Sequence, residues 1–254
     1  EKMLARKLEE LETREQEYQR VSINIAPSKQ SGKTPLEVQN LNFAYPGKGL
    51  LYKDLSFSLT RGEKFLIVGE NGIGKSTLLK LIMGELTPSA GSILTSQNTT
   101  ISYYAQELEV LDERKTVLEN VRSYDFTDTD MRSILSNFLF SGDDVNTRVS
   151  VLSPGEKARV ALCKILTKRA NLVILDEPTN HFDPETQKII GENFKDYSGT
   201  VLMVSHSPSF VEQVGITRML VLPSHEKDQL PQALIKNYSR ELLDYYYYLN
   251  SELV

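Results

Sequence analysis

The run Gly69-Glu70-Asn71-Gly72-Ile73-Gly74-Lys75-Ser76 sets three glycines, a lysine and a hydroxyl at fixed spacing. Glycine accepts the tight, left-handed turns that let successive backbone N–H groups converge on one anion. A phosphate chain is the anion such a cradle suits. A helix starting near Lys75 would add the positive end of its dipole. Lys75 would then reach the terminal phosphates and the Ser76 hydroxyl would ligate magnesium. Asn71 and Thr77 belong to the same phosphate-facing set. A second group, Leu172-Val173-Ile174-Leu175-Asp176-Glu177, ends an apolar run on two carboxylates. In open α/β sheets, ligands bind beyond the carboxyl ends of the strands. Asp176 would hold magnesium, usually through a water, and Glu177 would orient or deprotonate an attacking water.

Those groups need elements that bring them together. Leu36–Phe43 and Ser56–Leu59 read as strands. Lys64–Val68 is a β-type run, followed by the glycine turn and an apolar-periodic helix over Ser76–Met83. Ile101–Ala105 is a short strand, and Thr116–Leu139 carries two helical patterns. Ser153 opens a helix with Ala158, Ala161, Leu162 and Ile165 on one face. Cys163 lies on its apolar side and reads as core packing. Leu172–Leu175 and Thr200–Val204 are further strands, and Pro184 starts a helix between them. Strands alternating with helices imply a largely parallel sheet covered by helices.

The first 22 residues are charged and helix-favouring, with Leu4, Leu8, Leu11 and Tyr18 in a narrow row that Glu15 breaks. This reads as a helical segment, either a short coiled-coil seam or a solvated surface helix. Residues 23–35, with Pro27, Ser28, Ser31, Gly32 and Pro35, read as a linker before a domain over 36–254. His225 reads as surface, and Tyr245–Tyr248 as packing and surface. The chain of 254 residues carries a net charge of −5, which offers no global attraction to nucleic acid or anionic lipid. One cysteine excludes an internal disulfide and suits a reducing compartment. No apolar run reaches the roughly 18 residues a bilayer span needs. With no basic-then-apolar leader, the expectation is a cytoplasmic protein. A start at Glu1 suggests a piece of a longer chain.

In this order, the motifs resemble those of the ATP-binding-cassette ATPases from about Leu36 to the region of Asn237. The resemblance implies an α/β P-loop cassette with a mixed, largely parallel core sheet, an antiparallel β subdomain and a small helical subdomain at about 107–168. It implies ATP and magnesium at the site. Tyr45, in Phe43-Ala44-Tyr45-Pro46, looks like the aromatic that stacks on adenine. Gln106 looks like the glutamine that senses magnesium and the attacking water. His206 looks like the switch histidine that contacts the γ-phosphate. Leu152-Ser153-Pro154-Gly155-Glu156 resembles the signature that binds ATP held by a second cassette, with Ser153, Gly155 and Glu156 in that set. The family usually has glycine where Pro154 stands. Locally, Ser153 and Glu156 make a capping box and Pro154 takes the first helical position. If the trans contact uses the missing amide, Pro154 weakens it; otherwise Pro154 pre-organises the helix.

The resemblance implies that each cassette holds half of each site and that closure on a second cassette completes the chemistry. Three roles follow from the resemblance: one cassette of an ABC-F protein, an ATPase subunit of a membrane transporter, or a regulatory cassette with weak turnover. Glu177-Pro178-Thr179-Asn180-His181-Phe182-Asp183 favours the first. ABC-F proteins typically carry Asn-His-Leu-Asp there, and transporter subunits commonly Ser-Ala-Leu-Asp. The short stretch from Gln106 to the signature leaves limited helical surface for a membrane partner. The charged helix at the start resembles the end of an inter-cassette linker and, with no inserted arm between Lys75 and Gln106, suits the second, C-terminal cassette. The residues after His206 depart from the ABC-F pattern, with Ser207 and Pro208 for Asp and Arg. By family analogy alone, the full-length partner is the ribosome with tRNA, in translation or antibiotic resistance.

Overall fold

β1 (Leu36–Ala44) buries Leu36, Val38, Leu41 and Phe43, so its alternation slips by one residue between Val38 and Leu41. Asn40 sits in that bulge at φ 47°. The computed structural model describes residues 25–105, 111–222, 233–241 and 243–244. β1 pairs antiparallel with β2 (Leu50–Leu59) and β4 (Ala90–Thr95), giving a three-stranded sheet in the order β2-β1-β4. The sequence reading caught only the end of β2 and missed β4, a mostly exposed strand with no alternation.

The second sheet has six strands in the order β5-β6-β7-β3-β8-β9. These are β5 (Ile101–Tyr104), β6 (Leu172–Asp176), β7 (Thr200–Val204), β3 (Lys64–Val68), β8 (Arg218–Val221) and β9 (Leu234–Asn237). All pair in parallel except β8 with β9. β3, β6 and β7 are buried at every position, which their continuous apolar runs anticipate for a sheet covered on both faces. Lys64, at the start of β3, meets this burial by donating to the carbonyl oxygens of Tyr197 and Gly199. Val204 pairs with both Ile67 and Asp176, so β3, β6 and β7 end level.

Six α-helices are described: α1 (Lys75–Ile82), α2 (Val117–Val121), α3 (Asp128–Ser136), α4 (Pro154–Thr167), α5 (Pro184–Asp196) and α6 (Pro208–Val214). The two faces of the large sheet feed separate cores. Leu66, Val68, Val173 and Leu175 join the helical region, including Met131, Ile134, Leu135 and Phe138. Phe65, Ile67, Ile174 and Leu202 join α1 and the antiparallel sheet. The parallel-rich sheet, the antiparallel sheet and the helices between β5 and β6 match the expected fold class.

Residues 25–35 form no strand or helix, yet they bond to the turn between α4 and β6. The Ser28 amide donates to Arg169 O at 2.9 Å, and Arg169 Nε returns a bond to Ala26 O at 2.8 Å. Asn171 Nδ2 donates to Lys29 O at 3.1 Å. The helical expectation for residues 1–22, and those for His225 and Tyr245–Tyr248, lie outside the described residues.

Candidate active site

The P-loop leaves β3 and turns through Gly72 at φ 78° and Gly74 at φ 106°, both left-handed, with Ile73 buried between them. Gly74 is the N-cap of α1 and has no side chain to cap it. Each of the other described α-helices is capped by a side chain: Thr116, Thr127, Ser153, Asp183 and Ser207 for α2 to α6. The first amides of α1 are therefore not taken by a local side chain, and an anion suits that end. Lys75 is buried, and its Nζ donates to the carbonyl oxygens of Gly69 and Glu70 at 2.9 Å each. Burial lowers its pKa, against the pull of the Glu177 and Asp176 carboxylates.

β6 delivers the carboxylates. Ser76 Oγ donates to Asp176 Oδ1 at 3.3 Å, joining two of the three expected magnesium ligands. Burial raises the Asp176 pKa. Paired hard oxygens of this kind suit magnesium. Glu177 is held at φ 47°, a left-handed conformation costly for a non-glycine residue, with its amide bonded to Val204 O at 3.0 Å. That turn aims its side chain at the end of β7. Glu177 Oε2 accepts the His206 amide at 3.1 Å. His206 Nε2 lies 3.0 Å from Glu177 Oε1, but this buried oxygen accepts no aligned hydrogen bond. Burial pushes the Glu177 carboxyl up to about 7. Burial, with Lys75 nearby, holds the His206 imidazole down at about 4.

Tyr45 is half-exposed, its ring edge-on to Phe43 and its hydroxyl 3.1 Å from Thr77 Oγ1 in α1. Gln106 lies outside the described residues. Ser207 and Pro208 start α6 as N-cap and first helical residue, and Ser207 Oγ also bonds Gln187 in α5. The loop after His206 is thus anchored by capping.

The signature residues gather elsewhere, in a cleft of about 380 Å³ whose lining includes Ser153, Gly155, Arg159, His181 and Asp183 and no P-loop residue. Ser153 Oγ accepts the Glu156 amide, and Glu156 Oε2 accepts the Ser153 amide at 2.8 Å. A Cβ on Gly155 would stand 2.9 Å from His181 O, so glycine is required by contact with the loop after Glu177. Phe182, larger than the leucine typical there, packs partly buried against the helical-region core. Sequence reasoning missed two features: the His181 contact, and Tyr52 of β2, whose hydroxyl donates to Gly74 O.

A glycine loop feeding an uncapped helix, beside a parallel strand that ends in two carboxylates, defines a P-loop nucleotide-binding domain. Residues 52–180, half of the chain, match the family described as ABC transporter. The chain belongs to that family, as its ATP-binding ATPase domain. It is 45% identical over 199 residues to the putative ATP-binding protein YdiF of Bacillus subtilis, covering 78% of this chain and 31% of that one. It is 37% identical to ABC transporter F family member 5 of Arabidopsis thaliana, over 97% of this chain and 35% of that one. With ATP-binding protein Uup of Haemophilus influenzae it shares 39% identity, over 75% of this chain and 30% of the relative. The chain thus spans about a third of the length of these curated relatives. No helix among the described residues is long and apolar enough to cross a membrane.

Proposed function

We propose that this cassette binds ATP at the P-loop and hydrolyses it when a second cassette closes on it. The observation that carries this reading is the convergence of Lys75, Ser76, Asp176, Glu177 and His206 at one edge of one sheet. Lys75 exchanges its two carbonyl partners for the β- and γ-phosphates, and the amides at the start of α1 take the remaining oxygens. Tyr45 stacks on adenine while its hydroxyl stays by Thr77. Ser76 and Asp176, with Gln106, would hold magnesium, which supplies charge neutralisation on the phosphates. Glu177 orients a water and takes its proton as the water oxygen attacks the γ-phosphorus and the bond to ADP breaks. A carboxylate with a pKa of about 7 is a stronger base than an ordinary one. His206 is neutral at physiological pH and can donate from its ring to the γ-phosphate. Ser153, Gly155 and Glu156 serve the site of the second cassette.

We further propose that the cassette is the second one of a cytoplasmic ABC-F protein that acts on the ribosome. The Asn180-His181 loop and relatives named ABC transporter F family members support this. The test is ribosome pelleting of the full-length protein carrying Glu177→Gln and the matching change in its other cassette. ATP-dependent co-sedimentation is expected. Absence from the pellet with ATP binding intact would remove the ribosome and favour a transporter or regulatory cassette.

A further inference from the structure

Tyr52 is buried within β2, on the antiparallel sheet, and belongs to none of the motifs of the sequence reading. Its hydroxyl donates to the main-chain carbonyl of Gly74. Gly74 is where the P-loop passes, at φ 106°, into α1. A Cβ on Gly74 would stand 2.6 Å from the Tyr52 hydroxyl and 2.9 Å from Leu51 Cδ2, so β2 sits directly on this glycine.

The side of the peptide that Tyr52 holds matters. A helix N-cap usually fixes its turn with a side chain that accepts one of the first amides. That consumes a donor, and α2 to α6 are all built this way. At α1 the hold is on the carbonyl, which consumes none. The same carbonyl keeps its helical bond from the Leu78 amide at 2.9 Å. Tyr45, from the other end of the β1–β2 connection, meets α1 at Thr77 through its hydroxyl, 3.1 Å away.

We propose that Tyr52 is a positioning residue for the nucleotide: it fixes the last turn of the P-loop from the antiparallel sheet, so that the amides of α1 are set for the phosphate chain in advance. Burial holds its phenol well above the usual range, so it stays a donor at any working pH. The inference rests on the ATP-binding reading, and the experiment separates the two.

The experiment uses the full-length protein, with the P-loop lysine of any second cassette replaced so that the signal comes from this site. A fluorescent ATP analogue is titrated, then displaced by ATP or by inorganic triphosphate. Tyr52→Phe keeps the ring and removes one hydroxyl. Both Kd values should rise together by about threefold to tenfold, the range for one lost hydrogen bond. Tyr45→Ala should weaken ATP much more than triphosphate, because its main loss is the stack on adenine. Phe57→Leu, a packing change on the same strand, controls for general loosening of β2. Unchanged Kd values in Tyr52→Phe overturn the inference while ATP binding stands. So does weakening of ATP alone, or equal weakening in Phe57→Leu. A wild-type protein that binds neither ligand overturns the ATP-binding reading and the inference with it.

Discussion

The helices that begin at Lys75 and at Pro154 both turn their N-termini to phosphate in the proposed function, yet they are built in opposite ways. α1 starts at a left-handed glycine with no side-chain cap, and its anchor is a carbonyl held by Tyr52. α4 starts inside a closed capping box, where Ser153 and Glu156 satisfy each other's amides. Pro154 contributes no amide, so Gly155 supplies the one remaining donor of that first turn. In the proposed function, one end is an anion site complete within the chain. The other stabilises itself and offers an anion little until a second cassette arrives. Under the proposed function, this asymmetry is a physical reason for a cassette to bind ATP alone and to need a partner for turnover.

The largest test of that contrast is at Glu177. Glu177→Gln should lower steady-state turnover by about 10²- to 10⁴-fold and leave the ATP Kd within about twofold, since the base acts in the chemical step. Undiminished turnover would remove Glu177 from that role. Next, Lys75→Ala should weaken ATP binding by about a hundredfold in a direct titration, through loss of a charged donor. Near-normal affinity would erase the difference between the two helix ends.

A third test uses pH. The Glu177 carboxyl is raised to about 7 in the folded, nucleotide-free protein from an ordinary value of 4.5. Between those values the folded state keeps a proton that the unfolded state has lost, so its stability contribution falls as pH rises through that window. With magnesium chelated, Glu177→Gln should raise Tm by a few degrees at pH 8 and by much less at pH 5, a gain on the order of 1 kcal/mol or more. An equal gain at both values would break the link to burial. The smallest effect is expected at the other helix. Ser153→Ala should cost about 1 kcal/mol in urea unfolding by opening the capping box, with the ATP Kd of the intact P-loop unchanged.

Much of this was legible from residue order. The glycine loop and the Leu172–Glu177 run identify strand ends because a buried parallel strand must be apolar throughout. The capping box at Ser153 and the proline at position 184 mark helix starts in any context. Elements whose identity depends on neighbours were missed. β9 is exposed along its length and exists through pairing with β8. β8 is four residues long, too short to show a period. α6 carried a readable signal, a serine cap followed by proline, which was noted only as a departure from the family pattern.

The sequence by itself determined the chemistry available. It did so because a glycine's tolerance of left-handed turns, a lysine's charge and an acidic pair at the end of an apolar strand are properties of residue types at fixed spacing. Only the tertiary structure decided which groups meet. The left-handed backbone at Glu177, the close pass of His181 over Gly155 and the Tyr52 hold on Gly74 join residues far apart in the chain. Local sequence carries no record of such contacts, since they arise only when separate strands and helices pack against one another.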